Sequence, residues 1–467
     1  MIDRDEIELR AKDFDIHPVN IERDYVFGWL LAGIYGDSPL ANELVLKGGN
    51  CLRKAYFERT RFSTDLDFSV EHRIDPARFL VELNRVCDLV QACTGVAFHK
   101  DRNKVEEKFA LDNERLVYHA KLYFTDFYGN PDAFVISVRL DLTEMDRLYL
   151  PIQERNLIHP YSDVQETRVA IRCMKLEEIL GSKLKCLLQR RQTQDLYDFL
   201  FSFVFNRNLA INRREVVTAF LKKTIFEPSP GVAKTLLLEL PLEVLRRVWT
   251  KYLICPKESV LDFDSAVQHF RTHLDAVFGE APQNRFASVS YFPSHLRNPI
   301  IEAGNDMKLV AFTYHGRRRD VEPYSLMFKR RKDGFGQEYF YGYDRTGGQS
   351  SGPGIKTFVA PDIQQLEILG QTFQPQFEVE LAKAGEPGDK SYFGRSFGGH
   401  RTSSAHRKPS VRRARRISSY SLRYIIECPY CQKRFSRSSF STQLNEHKDR
   451  YGNQCHGRVG HLVDQRY

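Results

Sequence analysis

At 467 residues the chain is too long for one ordinary hydrophobic core, which predicts two to four domains. With 42% hydrophobic and 28% charged residues it has a globular composition, and no apolar run nears the ~20 residues that span a bilayer. The net charge of +9 sits mainly in residues 386–423, with roughly ten Lys and Arg against two acids, so it describes that segment and not the rest. MIDRDEIELR lacks the basic-then-apolar profile of a secretion signal, and the cytoplasm is the expected compartment. Cys51, Cys87, Cys93, Cys173, Cys186 and Cys255 are scattered singly, the pattern of reduced thiols and not of a disulfide framework.

In chain order, IERDYVFGWLLAGIY predicts a helix, with Ile21, Tyr25, Trp29 and Ala32 near a 3.6-residue repeat. ELVLKGG predicts a short buried strand ending in a glycine turn, CLRKAYFE a helix, and TDLDFSV an alternating strand. DPARFLVELNRVCDLVQACTG has an Asp cap, a first-turn proline and a glycine near its end, which together predict a helix. RLVYHAKLYFTDF and AFVISVRLDLTEM are extended runs around the hairpin signal YGNPD. From KLEEILGSKLKCLLQRR to about residue 278 the pattern is helical. These segments predict an α/β core to about residue 170 and a helical part over 171–280. FPSHLRNP then reads as turn-rich, and MKLVAFTYHG, YSLMFKRR, QEYFYGYD and IKTFVAPD predict a small β-rich domain over 285–385. Residues 386–423 form a Ser/Gly/Arg-rich basic segment, read as a solvated linker or as a non-specific attractor of nucleic-acid phosphates. Residues 424–467 form a Cys/His module.

Asp65 and Asp67 lie two apart on a predicted strand, so both carboxylates leave one face of the sheet. That spacing suits Mg²⁺, which takes one or two carboxylates together with phosphate oxygens and water. A third carboxylate is expected from a neighbouring strand. Asp141 in ISVRLDLTE is the first candidate, with Glu144 as a weaker substitute. Gly48 and Gly49, where strand turns to helix, allow close approach of a triphosphate to backbone N–H groups, and Asn50 offers a further donor. Each motif alone reads first as a turn or a solvated strand end; their order along the chain joins them.

The ordered set strand–KGG–helix–RFSTDLDFS resembles the AbiEii/AbiGii nucleotidyltransferase toxins of the polymerase-β-like nucleotidyltransferase superfamily. LEEILGSKLKCLLQRRQTQDLYDFLF is similar to that family's helical signature, and the resemblance covers about residues 1–280. It implies an enzyme that transfers NMP from an NTP with Mg²⁺ or Mn²⁺ and releases pyrophosphate. The acceptor would be an RNA end, with tRNA foremost, and a cognate antitoxin or a phage-defence role would go with it. Carried over, the resemblance puts Lys47, Gly48, Gly49, Asn50 and Arg190 at the nucleotide. It makes Asp65, Asp67 and Asp141 catalytic metal ligands and adds Lys183, Asp195 and Asp198 as catalytic residues of the helical side. Asn50 replaces the family's usual Ser or Thr, and Gln194 replaces a common Arg. Read without the resemblance, Lys183 is a surface lysine and Asp195 and Asp198 are capping or ion-pairing residues.

Residues 300–385 resemble a WYL domain, a small Sm-like β-barrel, with Tyr339, Phe340 and Tyr341 where that family has its Trp-Tyr-Leu strand. This implies a nucleotide or single-strand ligand near Tyr314, Arg319, Tyr339 and Lys356. In the tail, CPYC followed by a spaced His and Cys predicts a structural Zn²⁺ on Cys428, Cys431, His447 and Cys455, with His456 or His461 as less favoured fourth ligands. A rival reading from another class is a non-enzymatic, ligand-sensing nucleic-acid binder built on the β domain, basic segment and finger.

Overall fold

The computed structural model describes residues 2–109, 116–125, 135–144, 147–251, 253–282, 289–348, 351–377, 379–383, 423–431, 433–437, 441–448 and 454–466. The hairpin signal YGNPD and nearly all of the basic segment lie outside them. The chain opens with α1 (Arg4–Phe14) and α2 (Pro18–Asp37), then β1 (Leu44–Lys47), the single turn α3 (Gly48–Cys51), a wide π-type turn over Leu52–Tyr56, and β2 (Asp65–Val70). Next come α4 (Pro76–Thr94), β3 (Lys104–Phe109), β4 (Leu116–Thr125), β5 (Val135–Glu144), β6 (Gln153–Asn156) and β7 (Ala170–Cys173). The expected helix caps are present: Asp75 accepts from Ala77 N at 2.9 Å, and α4 ends at Gly95 in the left-handed region, φ 74°.

These strands form one seven-stranded sheet in the order β3-β4-β5-β2-β1-β7-β6. β2 runs parallel to β5, and β1 runs parallel to β7. On one face Leu44, Leu46, Leu66, Phe68, Tyr118, Ala120, Leu140 and Leu142 are buried to within 1%. That face carries the apolar core shared with α2 and α4. The alternation of each strand puts polar residues on the opposite face.

The helical half consists of α5 (Leu176–Gln189), α6 (Thr193–Val204), α7 (Arg213–Lys223), α8 (Pro230–Leu238) and α9 (Phe263–Gly279). α5 packs against α6, α7 and α8, and its core is continuous with that of the sheet. Where turns are expected at FPSHLRNP, the chain instead forms α10 (Ser294–Asn305) with Pro299 inside it. Burial of Leu296, Ile300, Ile301 and Ala303 along one face outweighs the proline's missing N–H.

β8 (Lys308–Tyr314), β9 (Arg317–Arg330), β10 (Gly336–Asp344), β11 (Gly354–Phe358) and β12 (Ile363–Thr372) make a second sheet around a separate apolar cluster. Its order is β11-β10-β9-β8-β12, so among the described residues the pairing is open at both edges where a barrel is expected. The fully buried Arg297 ties this part to the helices. It pairs with Glu338 through two nitrogens, at 2.8 and 2.6 Å, and donates to Leu188 O at 3.3 Å. The tail contributes β13 (Arg423–Glu427), β14 (Arg434–Arg437), β15 (His447–Lys448), β16 (Gln454–Cys455) and β17 (His461–Arg466) around a small third cluster. All nine cysteines are free thiols. Among the described residues no helix is long and apolar enough to cross a membrane.

Candidate active site

The polar face of the large sheet is ordered by register. Lys47 on β1 lies opposite Asp67 on β2, Asp67 beside Asp141 on β5, and Asp141 opposite His119 on β4. One repeat away, Asp65 lies beside Arg139, and Arg139 opposite Lys121. Side chains at directly paired positions share a face. Asp65, Asp67 and Asp141 therefore converge, with one ligand oxygen from each lying within 4.8 Å of the others.

The neighbours of these carboxylates fix their orientation. His119 Nδ1 donates to Asp141 Oδ1 at 2.6 Å. One guanidinium nitrogen of Arg139, Nη2, bridges Asp65 Oδ2 at 2.9 Å and Asp141 Oδ2 at 2.7 Å. Ser63 Oγ donates to the other oxygen of Asp65 at 3.1 Å. Burial first, then the charges of Asp65 and Asp141, push the Asp67 carboxyl up to about 7 against the pull of Lys47 and Arg139. At Asp67, burial and the neighbouring carboxylates thus outweigh the nearby cations.

The glycine turn is shaped by what surrounds it. Gly48 has φ +73°, and a Cβ there would collide with Asp67 Oδ2; at Gly49 it would collide with Arg61 Nη2. The two glycines thus let the chain reverse against the carboxylate of one neighbour and the guanidinium of another. Asn50 is fully buried and donates from Nδ2 to the main-chain oxygen of Asp65 at 2.6 Å. Its donor is committed to bracing β2 against the turn.

The expected helical residues gather in a different cluster. Lys183 Nζ lies 3.2 Å from Asp195 Oδ1 and 2.8 Å from Asp198 Oδ2. Arg190 grips Asp195 through Nε and Nη2, at 2.9 and 3.0 Å. Arg61 grips Asp198 through Nε and Nη2, at 2.6 and 2.7 Å. Burial alone would raise both carboxyls, but Arg190 and Lys183 bring Asp195 down to about 2, and Arg61 and Lys183 lower Asp198. Asp195 and Asp198 are thus bound into an ion-pair network, apart from the carboxylate triad. Arg61 connects the two sites: it packs on Gly49, holds Asp198 and feels the charge of Asp65.

In the second sheet, Arg319 Nη1 and Lys356 Nζ both reach the buried Asp344 Oδ2, at 3.3 and 2.9 Å. Tyr314 packs edge-on against Phe358, and Tyr339 lies on β10 opposite Met327. In the tail, ligand atoms of Cys428, Cys431, His447 and Cys455 also lie within 4.8 Å of one another, whereas His461 faces Glu427 at 3.8 Å. His447 Nδ1 donates to Asn445 O at 2.8 Å, which leaves Nε2 buried and without a partner among the described residues.

Sequence reasoning missed Arg61, His119 and Arg139. Their signals were present: Arg139 is the polar residue two before Asp141 in an apolar run, His119 interrupts VYHAKLYF, and Arg61 opens RFSTDLDF. The family model described as nucleotidyl transferase AbiEii toxin, type IV TA system, matches residues 29–269. Among solved structures, MenT4, nucleotidyltransferase toxin Rv2826c from Mycobacterium tuberculosis H37Rv, aligns at 18% identity with a TM-score of 0.37. The alignment covers 58% of this chain and 89% of that one. A search of curated proteins finds no significant match.

Proposed function

The chain belongs to the AbiEii nucleotidyltransferase toxin family of type IV toxin–antitoxin systems, and from that premise we propose that it transfers NMP from an NTP to the 3′ hydroxyl of an RNA, with tRNA as the first candidate. The observation that carries this reading is the convergence of Asp65, Asp67 and Asp141 beside the glycine turn. These residues fit Mg²⁺ or Mn²⁺: they are hard oxygen donors, gathered from two strands, and their crowding raises the Asp67 carboxyl. The chemistry a bound divalent ion supplies here is neutralisation of phosphate charge.

The chain's own groups do the positioning. Lys47 and the Gly48–Asn50 turn face the triphosphate, and Arg61 sets the height of that turn through Gly49. His119 and Arg139 hold Asp141 where it aligns the acceptor hydroxyl. The hydroxyl gives up its proton to solvent as a bond forms from its oxygen to the α-phosphorus, the bridging α–β P–O bond breaks, and pyrophosphate leaves. Such transfers rest on placement and electrostatics more than on covalent help. Lys183, Arg190, Asp195 and Asp198 act by holding Arg61 and the helical wall.

The same reading divides the chain into a nucleotidyltransferase unit over 1–280, a β unit over 285–385, a basic linker over 386–423 and a terminal module over 424–467. Cys428, Cys431, His447 and Cys455 hold a structural Zn²⁺, and the orphaned Nε2 of His447 fits that role. A phosphate-bearing ligand at the β unit would compete with Asp344 for Arg319 and Lys356. Lys356→Glu is then expected to abolish nucleotide binding there, and unchanged affinity removes the site. The central test is incubation of purified protein, free of antitoxin, with labelled NTPs, Mg²⁺ or Mn²⁺ and total RNA. Label on RNA with wild type and none with Asp67→Asn is expected; no transfer by wild type sinks the reading.

A further inference from the structure

The terminal module lies beyond the segment matched by the family model, yet it borders the carboxylate face. Tyr430 stands between Cys428 and Cys431, and its ring closes over Gly457, where a Cβ would sit 3.0 Å from Tyr430 Cδ2. Its hydroxyl meets His17 Nε2 at 3.4 Å. His17 caps α2 by accepting from Val19 N at Nδ1, 3.2 Å away, so Nε2 carries the proton and donates to Tyr430. Less than two turns along α2, Arg23 is within electrostatic range of Asp65 on one side and of His461 in the module on the other. His461 also feels Lys121 and Arg434. Lys121 lies opposite Arg139, the residue that bridges Asp65 and Asp141, and on its other side it lies opposite Lys104.

The groups meeting at this border are mostly cations from three separate parts of the chain. Arg23 comes from α2, Lys121 from the sheet and Arg434 from the module. The opposing acids are Glu22 beside Arg23, Glu427 paired with Arg434 at 2.7 Å, and Glu106 paired with Lys104. Arg23 Nε and Nη1 are buried and meet no acceptor among the described residues. A buried donor left without an acceptor is costly, and an anion oxygen would satisfy it. Burial and the surrounding cations hold His461 down to about 3, so it stays neutral and donates or accepts without adding charge.

We infer that the module and the β4 side of the sheet form a seat for backbone phosphates of the RNA acceptor, with Arg23, Lys121 and Arg434 as its cations and the strand's 3′ end directed to Asp65, Asp67 and Asp141. This rests on the nucleotidyltransferase reading and assigns part of the acceptor-binding wall, Arg23 and Arg434, to residues outside the family segment. The cations neutralise phosphates and release counterions, so affinity falls with salt in proportion to their number.

The test uses full-length, zinc-loaded protein carrying Asp67→Asn to stop turnover, with labelled bulk tRNA followed by fluorescence anisotropy across a KCl series. Lys121→Gln, Arg434→Gln and Arg23→Gln are each expected to weaken binding about three- to tenfold and to lower the salt slope by about one. NTP affinity by calorimetry and zinc content should stay at the parent values. Unchanged tRNA affinity and slope in all three variants overturn the seat. A faster label transfer by Arg434→Gln in the otherwise wild-type enzyme also overturns it, since the module would then be a lid. A wild-type enzyme that binds no NTP sinks the underlying reaction instead, and the two failures are distinguishable.

Discussion

Two acidic clusters lie on either side of Arg61 and treat their carboxylates in opposite ways. In the sheet, Asp65, Asp67 and Asp141 crowd together, and the Asp67 carboxyl rises to about 7. In the helices, Asp195 and Asp198 are matched by Lys183, Arg190 and Arg61, and Asp195 is held near 2 although burial opposes it. Both sets are aspartates close in sequence, D-x-D and D-x-x-D. What separates them is the supply of positive charge: each carboxylate of the helical pair has two cationic partners, whereas the three of the sheet share Arg139, Lys47 and His119. Charge balance therefore distinguishes the two clusters better than residue type does.

The sharpest way to break this contrast is to remove one charge from each cluster. Asp67→Asn relieves repulsion, so label transfer should fall by roughly a thousandfold while the melting temperature holds or rises. A variant that stays active would empty the sheet cluster of its assigned role. Asp198→Ala should do the reverse, leaving the buried Arg61 without its carboxylate and Lys183 with Asp195 alone, at a cost of about 3–5 kcal/mol in urea denaturation. If it folds with wild-type stability and loses only activity, the network is catalytic and not structural.

Acid titration sharpens the contrast further. Asp195 has a folded value of about 2 against an ordinary 3.8, so its contribution to stability is present above 3.8 and is lost as pH falls through about 2. Thermal melts taken downward across that window should show Asp195→Asn starting lower than wild type and losing less. Parallel acid limbs would mean that Arg190 and Lys183 do not hold the group. The smallest effect is expected at the turn. Asn50→Ser forfeits the bond to Asp65 O and leaves space around it, costing about 1–3 kcal/mol in the same denaturation assay. Full stability would show that a hydroxyl at position 50 replaces the brace.

Much of this was legible in the sequence where period and punctuation agree. α2, β1, β2, α4 and the β4–β5 pair follow from apolar spacing, an Asp cap and glycine stops, and so does the polar face that carries the three aspartates. α1, β3, β6 and β7 have too little apolar alternation to announce themselves; the three strands form because neighbouring strands complete their hydrogen bonds, and α1 forms under its Asp3 cap and packs against α2. α10 was hidden by Pro299. At the site, residue types were readable but partners were not. Nothing in LYDFLF says that Asp198 is held by Arg61, a residue far away in the chain. Nor does CPYC say that its tyrosine meets His17 across the whole length of the protein. Such pairings depend on register and docking, which a single sequence does not spell out.

The parallel pairing of β2 with β5, and the grip of Arg61 on Asp198, have a consequence for synthesis. As the ribosome works, Asp65 and Asp67 emerge first, Asp141 only after the intervening strands, the partner of Arg61 later still, and the terminal module last. Each stage needs contacts distant in sequence, which form slowly compared with local ones. A chain abandoned before α6 carries all three aspartates but leaves the guanidinium beside Gly49 without its anchor. A chain truncated before α6 is therefore expected to show no label transfer.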